Sequence, residues 1–257
     1  MTEPTRGGKH HATPEDEPGK ELWVIVPAYN EAARIEQTLD ALGAQLDTDF
    51  TLLVVDNGST DDTALIARRM GARVLVEPEK GVGCAVDTGF RYAISAGATW
   101  LVRTDADCLP RPDWVAAARS SLAGGAGMVC GRITARRDEH GPAGRLFFRT
   151  LVAIAAAFGR LRPTHYSAGY LAPYRMHAGN NMAITAALYE ACGGMPRRPS
   201  PTDRTFLNRV RRTTASIVPN RSMVVENSTR RLRTYGMIGT AKWYLGRGSG
   251  MLTTDPR

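Results

Sequence analysis

No stretch of the sequence stays apolar for the ~18 residues that a membrane-spanning helix needs, so no such helix is predicted. Residues 1–21 have no apolar core of the kind found in secretory signals, and we expect them to form a disordered tail. Cysteine is scarce and widely spaced, which excludes a zinc knuckle or a redox dithiol. Without an export signal, we expect reduced, buried thiols and a cytoplasmic protein. The four cysteines are Cys84, Cys108, Cys130 and Cys192.

Acidic residues are scarce in one part of the chain. Residues 197–233 hold ten arginines but only two acids, Asp203 and Glu226, and this stretch has a net charge of +8, equal to that of the whole chain. Such a concentration favours an anionic partner, which could be a diphosphate, a membrane surface or a nucleic acid. The alternative is that the arginines lie on solvated faces or pair with carboxylates elsewhere. No helix-turn-helix, zinc-finger or aromatic RNA-binding motif accompanies them, so we expect no specific nucleic-acid partner.

From Leu22 onward, the first half of the sequence alternates between strand and helix patterns. Short apolar runs are typical of buried strands, and amphipathic stretches separate them. Asn30 is predicted to cap the first helix, and Thr60 or Asp61 the second, which would run through Met70. This alternation predicts an α/β, Rossmann-like, mostly parallel sheet with helices on both faces, in which ligands bind beyond the carboxyl ends of the strands. The predicted strands are 22–26, 51–55, 73–76 and 100–103, and a third helix is predicted at 84–96.

The second half of the sequence is less regular. A strand is predicted at 128–133, a helix at 146–161, a long loop at 162–180, and a strand followed by a helix at 181–192. The helix at 146–161 is apolar and flanked by arginines, so it either packs on the sheet or lies on a membrane surface. We expect a single domain at 22–235, made of the halves 22–127 and 128–235, followed by a tail or helix at 236–257.

The main candidate for chemistry is Asp105-Ala106-Asp107, which directly follows a buried strand. Two carboxylates at a strand end can bind one hard cation, Mg²⁺ or Mn²⁺, which completes its shell with waters and substrate phosphates. Asp56 ends another strand, where it could accept hydrogen bonds from a uracil ring or a ribose. Tyr29 could stack near the base and Glu31 could bind the nucleoside. Each of these residues could instead serve only a turn or a helix start.

The polar segments together resemble the family 2 glycosyltransferases. The resemblance is given by Val26–Glu31 (VPAYNE), Val54–Thr63 (VVDNGSTDDT), Lys80–Gly83 (KGVG) and Thr104–Asp107 (TDAD), in the family's order and spacing. It covers roughly residues 22 to 235. It implies a GT-A fold with a less regular acceptor-binding second half, a nucleotide-sugar donor, a divalent metal and inversion at the anomeric carbon.

The resemblance also implies roles for individual residues. Asp203 matches the family's catalytic-base motif, although the glutamate that commonly precedes this aspartate is Thr202 here. The alternative for Asp203 is a helix cap after Pro201. The implied donor-binding residues are Pro27, Tyr29, Glu31, Asp56, Lys80, Asp105, Arg230 and Arg231; the implied metal ligands are Asp105 and Asp107, and the implied acceptor contacts are Asn180 and Asn181. His165 and His177 are either metal ligands, acceptor contacts or plain loop residues.

Several functions compete at this point. The first is transfer of a sugar, from a UDP-sugar most readily, to the hydroxyl of a soluble acceptor. The second is transfer to a polyprenyl phosphate by a protein bound peripherally at a membrane. A third is a non-catalytic protein that senses nucleotide sugars. A nucleotidyltransferase is disfavoured, since the turn after the first strand is acidic and contains no glycine.

Overall fold

The computed structural model describes residues 21–139, 141–161, 166, 168–174, 179–197, 202–230, 234, 236 and 239. The expected tail at 1–21 lies outside this range except for Glu21, and the expected tail or helix at 236–257 lies outside it except for Gly236 and Gly239. Arg231, His165 and His177 also lie outside the described residues.

The first half of the chain forms the predicted alternation of strands and helices. β1 pairs in parallel with β2 on one side and β4 on the other, and β2 pairs in parallel with β3. Every residue of β1 is buried, as expected of a central strand covered on both faces. The elements are β1 (Leu22–Ala28), α1 (Ile35–Gly43), β2 (Thr51–Asp56), α2 (Thr63–Arg69), β3 (Arg73–Val76), α3 (Val82–Ser95) and β4 (Trp100–Thr104).

The second half adds antiparallel strands to the same sheet. β7 lies between β4 and β6 and is antiparallel to both, β8 pairs in parallel with β6, and the short β5 closes the edge against β8. The order of the eight strands is β3-β2-β1-β4-β7-β6-β8-β5. The elements are β5 (Leu109–Pro110), α4 (Trp114–Ala123), β6 (Met128–Ala135), α5 (Pro142–Leu161), β7 (Asn181–Thr185), α6 (Ala186–Ala191), α7 (Thr202–Thr213) and β8 (Ile217–Asn227).

Helices cover both faces of this sheet, as predicted. Because side chains alternate along a strand, Trp23 and Ile25 of β1 point to one face, while Leu22, Val24 and Val26 point to the other. The first face packs against α3, α6 and α7, and the second packs against α1, α2 and α4. Among the described residues, no helix is both long enough and apolar enough to cross a membrane.

The prediction that Asn30 caps the first helix is wrong. Helix α1 begins only at Ile35, and Asn30 adopts a left-handed conformation with φ 52°. Its side-chain oxygen accepts a hydrogen bond of 2.8 Å from the backbone N–H of Thr60. Asparagine tolerates this backbone conformation better than most residues, so here it serves a turn that holds the loops after β1 and β2 together.

Asn181 stabilises the junction of β7 with the second half of the chain. It is fully buried, and its side-chain oxygen accepts a hydrogen bond of 2.9 Å from the indole N–H of Trp114. Its amide nitrogen donates to the carbonyls of Arg132 at 2.9 Å and Met223 at 3.0 Å. One side chain therefore satisfies three polar groups, of α4, β6 and β8, through two buried hydrogen bonds and one partly buried hydrogen bond.

We expect Asn181→Ala to lower the free energy of unfolding by about 3 kcal/mol, because three polar groups, two of them in buried hydrogen bonds, lose their partner at once. Urea denaturation followed by circular dichroism measures this change. Ser121→Ala, which removes hydrogen bonds of a half-buried hydroxyl with Ala117 and Asn220, is the control and should cost less than about 1.5 kcal/mol. Equal midpoints for Asn181→Ala and the unmodified protein would contradict this structural role.

Candidate active site

The polar ends of three parallel strands meet at one edge of the sheet. Ala28, the last residue of β1, lies beside Asp56, the last residue of β2, and the N–H of Asn57 donates to the carbonyl of Ala28 at 2.8 Å. The N–H of Glu31 donates to the hydroxyl of Thr63 at 2.8 Å, which ties the segment after β1 to the start of α2. The structure therefore brings Pro27, Tyr29, Glu31 and Asp56 together at the carboxyl ends of β1 and β2, as parallel strands require. We call the region between these residues and the acidic segment 105–107 after β4 the cleft.

The Asp56 and Lys80 side chains shape this side of the cleft. Asp56 is buried and its carboxylate accepts from the N–H of Ser59 at 3.2 and 3.3 Å. The ammonium of Lys80 donates to the carbonyls of Asn57 at 2.9 Å and Gly58 at 2.7 Å, and it lies 3.8 Å from the centre of the Tyr29 ring. Lys80 thus holds the loop after β2 and orients Tyr29 through a cation–π contact.

At the end of β4, Arg103 links two of the predicted acidic residues. Its guanidinium donates to Oδ1 of Asp105 from Nε at 3.1 Å and from Nη2 at 3.0 Å. Nη1 donates to Oδ1 of Asp203 at 3.1 Å. The Arg103 side chain is only 2% exposed, whereas those of Asp105 and Asp203 are 32% and 41% exposed. A buried cation therefore holds two carboxylates that face the cleft.

Burial and charge shift the pKa values of this group. Burial disfavours the guanidinium charge, but the carboxylates of Asp105 and Asp203 outweigh it, and the pKa of Arg103 is raised. Burial also raises the pKa of Asp105; Arg103 opposes this shift, while the negative charges of Asp107 and Asp203 add to it. Three negative charges, those of Asp105, Asp107 and Asp203, thus lie near the single positive charge of Arg103. A further cation bound here should reduce the repulsion between the carboxylates.

Arg230 lies between the two sides of the cleft. It forms a bidentate ion pair with Glu31, at 2.9 Å from Nη1 and 2.8 Å from Nη2, and Nη2 also lies 3.2 Å from Oδ2 of Asp107. Glu31 is buried, so this contact connects the segment after β1 with the acidic segment after β4. Arginine matches carboxylate and phosphate geometry equally well, and Arg230 is therefore placed to exchange one for the other.

Asp107 is also connected to Asn180, through the buried thiol of Cys108. The thiol lies 3.4 Å from Oδ1 of Asp107, and the Asn180 amide nitrogen lies 3.3 Å from the sulfur and donates to Oδ1 of Asn227. Burial raises the pKa of Cys108 well above its usual value, and the carboxylates of Asp107 and Asp105 add to this shift, so the thiol stays protonated and can donate. Asn180 Oδ1 is buried and has no hydrogen-bond partner among the described residues.

Asp203 lies in the first turn of α7, which begins at Thr202, so the residue is within the helix rather than before it. Its carboxylate touches the backbone of Gly179, where a Cβ atom would overlap it. Asp203, Gly179 and Asn180 are thus brought together at the cleft. Asn181 is not, because its side chain is fully buried in the hydrogen bonds described above.

Three residues of this site were not predicted from the sequence to belong to it: Arg103, Cys108 and Asn227. For Arg103 a signal was present, since a lone charged residue directly follows Trp100-Leu101-Val102 in a strand that is otherwise apolar. A buried charge requires a partner, and the nearest acids in sequence are Asp105 and Asp107. Cys108 and Asn227 offered no comparable signal.

The residues present fit a divalent cation that is shared with a substrate. Among the described residues, no group of three or more histidine, cysteine, aspartate or glutamate side chains could hold a metal alone. Asp105 and Asp107 supply two oxygen ligands at one strand end, and Mg²⁺ or Mn²⁺ commonly completes its shell with waters and phosphate oxygens. Such a donor set fits an ion that arrives with a diphosphate.

Part of the arginine-rich stretch pairs inside the protein. Arg197 bridges Glu77 at 3.0 Å and Glu79 at 2.9 Å, and Arg211 is buried and donates to the carbonyl of Ala172 at 3.0 Å. Arg197 and Arg230 thus pair with carboxylates elsewhere in the chain, which confirms the alternative for these two residues, whereas this hydrogen bond of Arg211 is with a backbone carbonyl. These three arginines therefore do not contribute to one shared cationic surface.

Comparison with known proteins identifies the family. Residues 23–179 match the model described as glycosyl transferase family 2. The chain belongs to this family. An uncharacterized glycosyltransferase of Mycobacterium tuberculosis is 46% identical over 71 residues, which cover 28% of this chain and 31% of that protein. Glycosyltransferase AglE of Haloferax volcanii is 35% identical over 119 residues, covering 43% of this chain and 38% of AglE. The matched part thus spans about a third of the length of these relatives.

Solved structures of other glycosyltransferases share the fold. Mannosyltransferase PcManGT from Pyrobaculum calidifontis aligns with a TM-score of 0.59 and 23% identity, covering 92% of this chain and 69% of that one. Glucosyl-3-phosphoglycerate synthase from Mycobacterium tuberculosis aligns with a TM-score of 0.52 and 23% identity, covering 89% of this chain and 81% of the synthase chain. The predicted GT-A fold is therefore confirmed.

Proposed function

We propose that this family 2 glycosyltransferase transfers a sugar from a nucleoside-diphosphate sugar to an acceptor hydroxyl, with inversion and with the help of a divalent cation. The observation that supports this most directly is the link made by Arg103. One guanidinium joins the acid expected to bind the metal, Asp105, to the acid expected to act as base, Asp203. Metal site and base would then face the same cleft, as a single displacement requires.

The nucleoside would bind at the ends of β1 and β2. Tyr29 offers an aromatic face and the carboxylate of Asp56 offers acceptors for a base or a ribose hydroxyl. PcManGT is known in complex with GDP-Man and Mn²⁺, the synthase with Mn²⁺ and UDP-glucose, and TarS from S. aureus with UDP-GlcNAc. These complexes support a nucleotide sugar as donor for this chain too, with a UDP-sugar favoured.

Asp105 and Asp107 would hold Mg²⁺ or Mn²⁺, which neutralises the diphosphate when bound. Arg230, now paired with Glu31 and Asp107, would turn one of its donors toward the phosphates. Guanidinium and phosphate match bidentately, so this exchange replaces one charge-assisted contact by another. Arg231, the next residue in the sequence, would add positive charge.

Asp203 would accept the proton of the acceptor hydroxyl. A sugar hydroxyl becomes a good nucleophile only when a positioned base removes its proton, and Arg103 holds the Asp203 carboxylate in place for this task. The oxygen would attack the anomeric carbon opposite the departing diphosphate, which inverts the configuration. Asn180 would contact the acceptor, since it directly follows Gly179, whose backbone lies against the Asp203 carboxylate.

Titration calorimetry of UDP, GDP and dTDP tests the donor side of this proposal. With Mn²⁺ present we expect one of them, UDP most readily, to bind at least about tenfold tighter than with EDTA, a difference of about 1.4 kcal/mol. Binding indifferent to the metal would refute the role of Asp105 and Asp107 in metal-assisted donor binding. Absence of binding for all three would argue against a nucleotide-sugar donor.

A lipid-linked phosphate is the second candidate acceptor, and helix α5 favours it. Leu146 is 53% exposed and Ile154 is 44% exposed, with Arg149 also exposed between them in sequence. An apolar face bordered by arginine suits a membrane surface. Transfer of labelled sugar into a butanol-extractable polyprenyl phosphate, compared with transfer to water-soluble glycosides, separates the two acceptors.

A further inference from the structure

Arg103 occupies an unusual position for a charged residue. It lies in β4 near the centre of the sheet, paired with Ile25 of β1 and Met182 of β7. Because side chains alternate, it shares a face with Leu101, which packs in the layer that contains Phe206 and Leu207 of α7. The guanidinium therefore lies on the α7 side of the sheet. It is located between Asp105, which follows β4, and Asp203, in the first turn of α7.

The bonds of Arg103 divide between the two acids. Nε and Nη2 donate to Asp105, while Nη1 donates to Asp203 across 100 positions of sequence. A guanidinium is planar, and its donors have fixed directions relative to one another. Two carboxylates that bind to different nitrogens of the same guanidinium are therefore held in a fixed mutual arrangement.

We propose that Arg103 is a positioning residue that fixes the base, Asp203, relative to the metal-binding carboxylate, Asp105. This inference rests on the proposed function, since it assigns a task to Arg103 within that same reaction. The donor would be held through Asp105 and Asp107. Arg103 then sets the distance between the anomeric carbon of that donor and the hydroxyl oxygen of the acceptor that is hydrogen-bonded to Asp203. A displacement of about 1 Å at such a centre can cost on the order of 100-fold in rate.

If Arg103 served only to compensate the charge of the two acids, a different effect of its replacement by lysine would be expected. Lysine also carries one positive charge, and it could offset the acids nearly as well. It presents a single ammonium on a flexible stem, however, and does not reproduce the fixed fork of an arginine. Arg103→Lys therefore keeps the charge and removes the geometry.

Gly179 provides a second way to move the same carboxylate. A Cβ atom at this position would overlap the Asp203 carboxyl group, and Gly179 does not have a left-handed backbone. Gly179→Ala should therefore displace Asp203 without removing any charge and without touching Arg103. Two variants that act through different contacts should then give the same kinetic signature.

The experiment measures kcat for transfer and the Kd of UDP with Mn²⁺, using the whole 257-residue chain. For Arg103→Lys and Gly179→Ala we expect kcat to fall about 100-fold, while the Kd stays within about threefold. Arg119→Lys is the control for the first variant, because Arg119 also contacts two acids, Asp47 at 2.6 Å and Asp49 at 3.7 Å, away from the cleft. Gly43→Ala controls for the second, since a Cβ atom there meets nothing within 4 Å.

The possible outcomes distinguish a positioning role of Arg103 from charge compensation and from general maintenance of the site. A kcat for Arg103→Lys equal to that of Arg119→Lys would overturn the proposal, because charge alone would then suffice. Loss of UDP binding together with kcat would also overturn it, because Arg103 would then maintain the whole site. If the unmodified protein neither binds a nucleoside diphosphate with Mn²⁺ nor transfers a sugar, the proposed function itself fails, and the inference with it.

Discussion

Replacing Asp203 by asparagine should lower kcat for sugar transfer by about 10³-fold, within the range that general-base catalysis contributes. The substitution keeps the size of the side chain and retains an oxygen that can accept from Nη1 of Arg103. It removes the ability to take a proton. The acceptor hydroxyl would then have to attack in its neutral form, which makes the chemical step slow while the donor remains bound.

Calorimetry on Asp203→Asn supplies the complementary measurement. The Kd of UDP with Mn²⁺ should stay within about threefold of the unmodified protein, since the proposed donor and metal contacts are made by other residues and the ion pair of Asp203 is with Arg103. Asp40→Asn, an exposed position on α1, is the matched control and should leave both quantities unchanged. Full turnover by Asp203→Asn would place the base elsewhere, and His165 and His177 would become the next residues to replace.

The first half of the fold followed from sequence because its signals are local. A buried parallel strand reads as a short apolar run, and the strands at 22–28, 51–56, 73–76 and 100–104 all contain one. Helix starts were less accurate. Asn30 looked like a cap, but its real partner is Thr60, in a loop that only the fold brings near.

In the second half, β6 and β7 were predicted at 128–133 and in the first part of 181–192, but β5 and β8 were not. β8, at Ile217–Asn227, is the longest strand of those described, yet Pro219, Asn220 and Arg221 interrupt its apolar pattern. β5 consists of only Leu109 and Pro110, and it exists because β8 passes beside it. Such strands depend on their neighbours in the sheet rather than on their own sequence.

The site shows the same division between local and distant signals. Asp105 and Asp107 were found because they stand together after a strand. The contacts of Arg103 with Asp203 and of Arg230 with Glu31 span 100 and 199 positions, and nothing in the sequence pairs these residues. A charged residue in an apolar strand could have indicated a buried ion pair at Arg103, but not which helix would supply the second acid.

The metal site yields the second large effect. Asp107→Ala should weaken UDP binding in Mn²⁺ to the level that the unmodified protein shows in EDTA. A lost charged contact is worth about 1.5–3 kcal/mol, which corresponds to a Kd about 10- to 100-fold higher. The substitution also removes the carboxylate that lies 3.2 Å from Nη2 of Arg230. Arg230 keeps its bidentate partner Glu31, so the segment after β8 should stay in place.

The diagnostic quantity is the dependence on metal rather than the affinity alone. In Asp107→Ala, adding EDTA should change the Kd of UDP by less than about twofold, because the variant already lacks the metal-assisted part of the binding energy. Asp113→Ala replaces the next acid along the chain, an exposed residue before α4, and should keep the full response to Mn²⁺. A variant at Asp107 that still responds to Mn²⁺ like the unmodified protein would show that the ion is held by other groups. Asp105 would then serve mainly as the partner of Arg103, and the pairing of these two residues would be a device for placing Asp203.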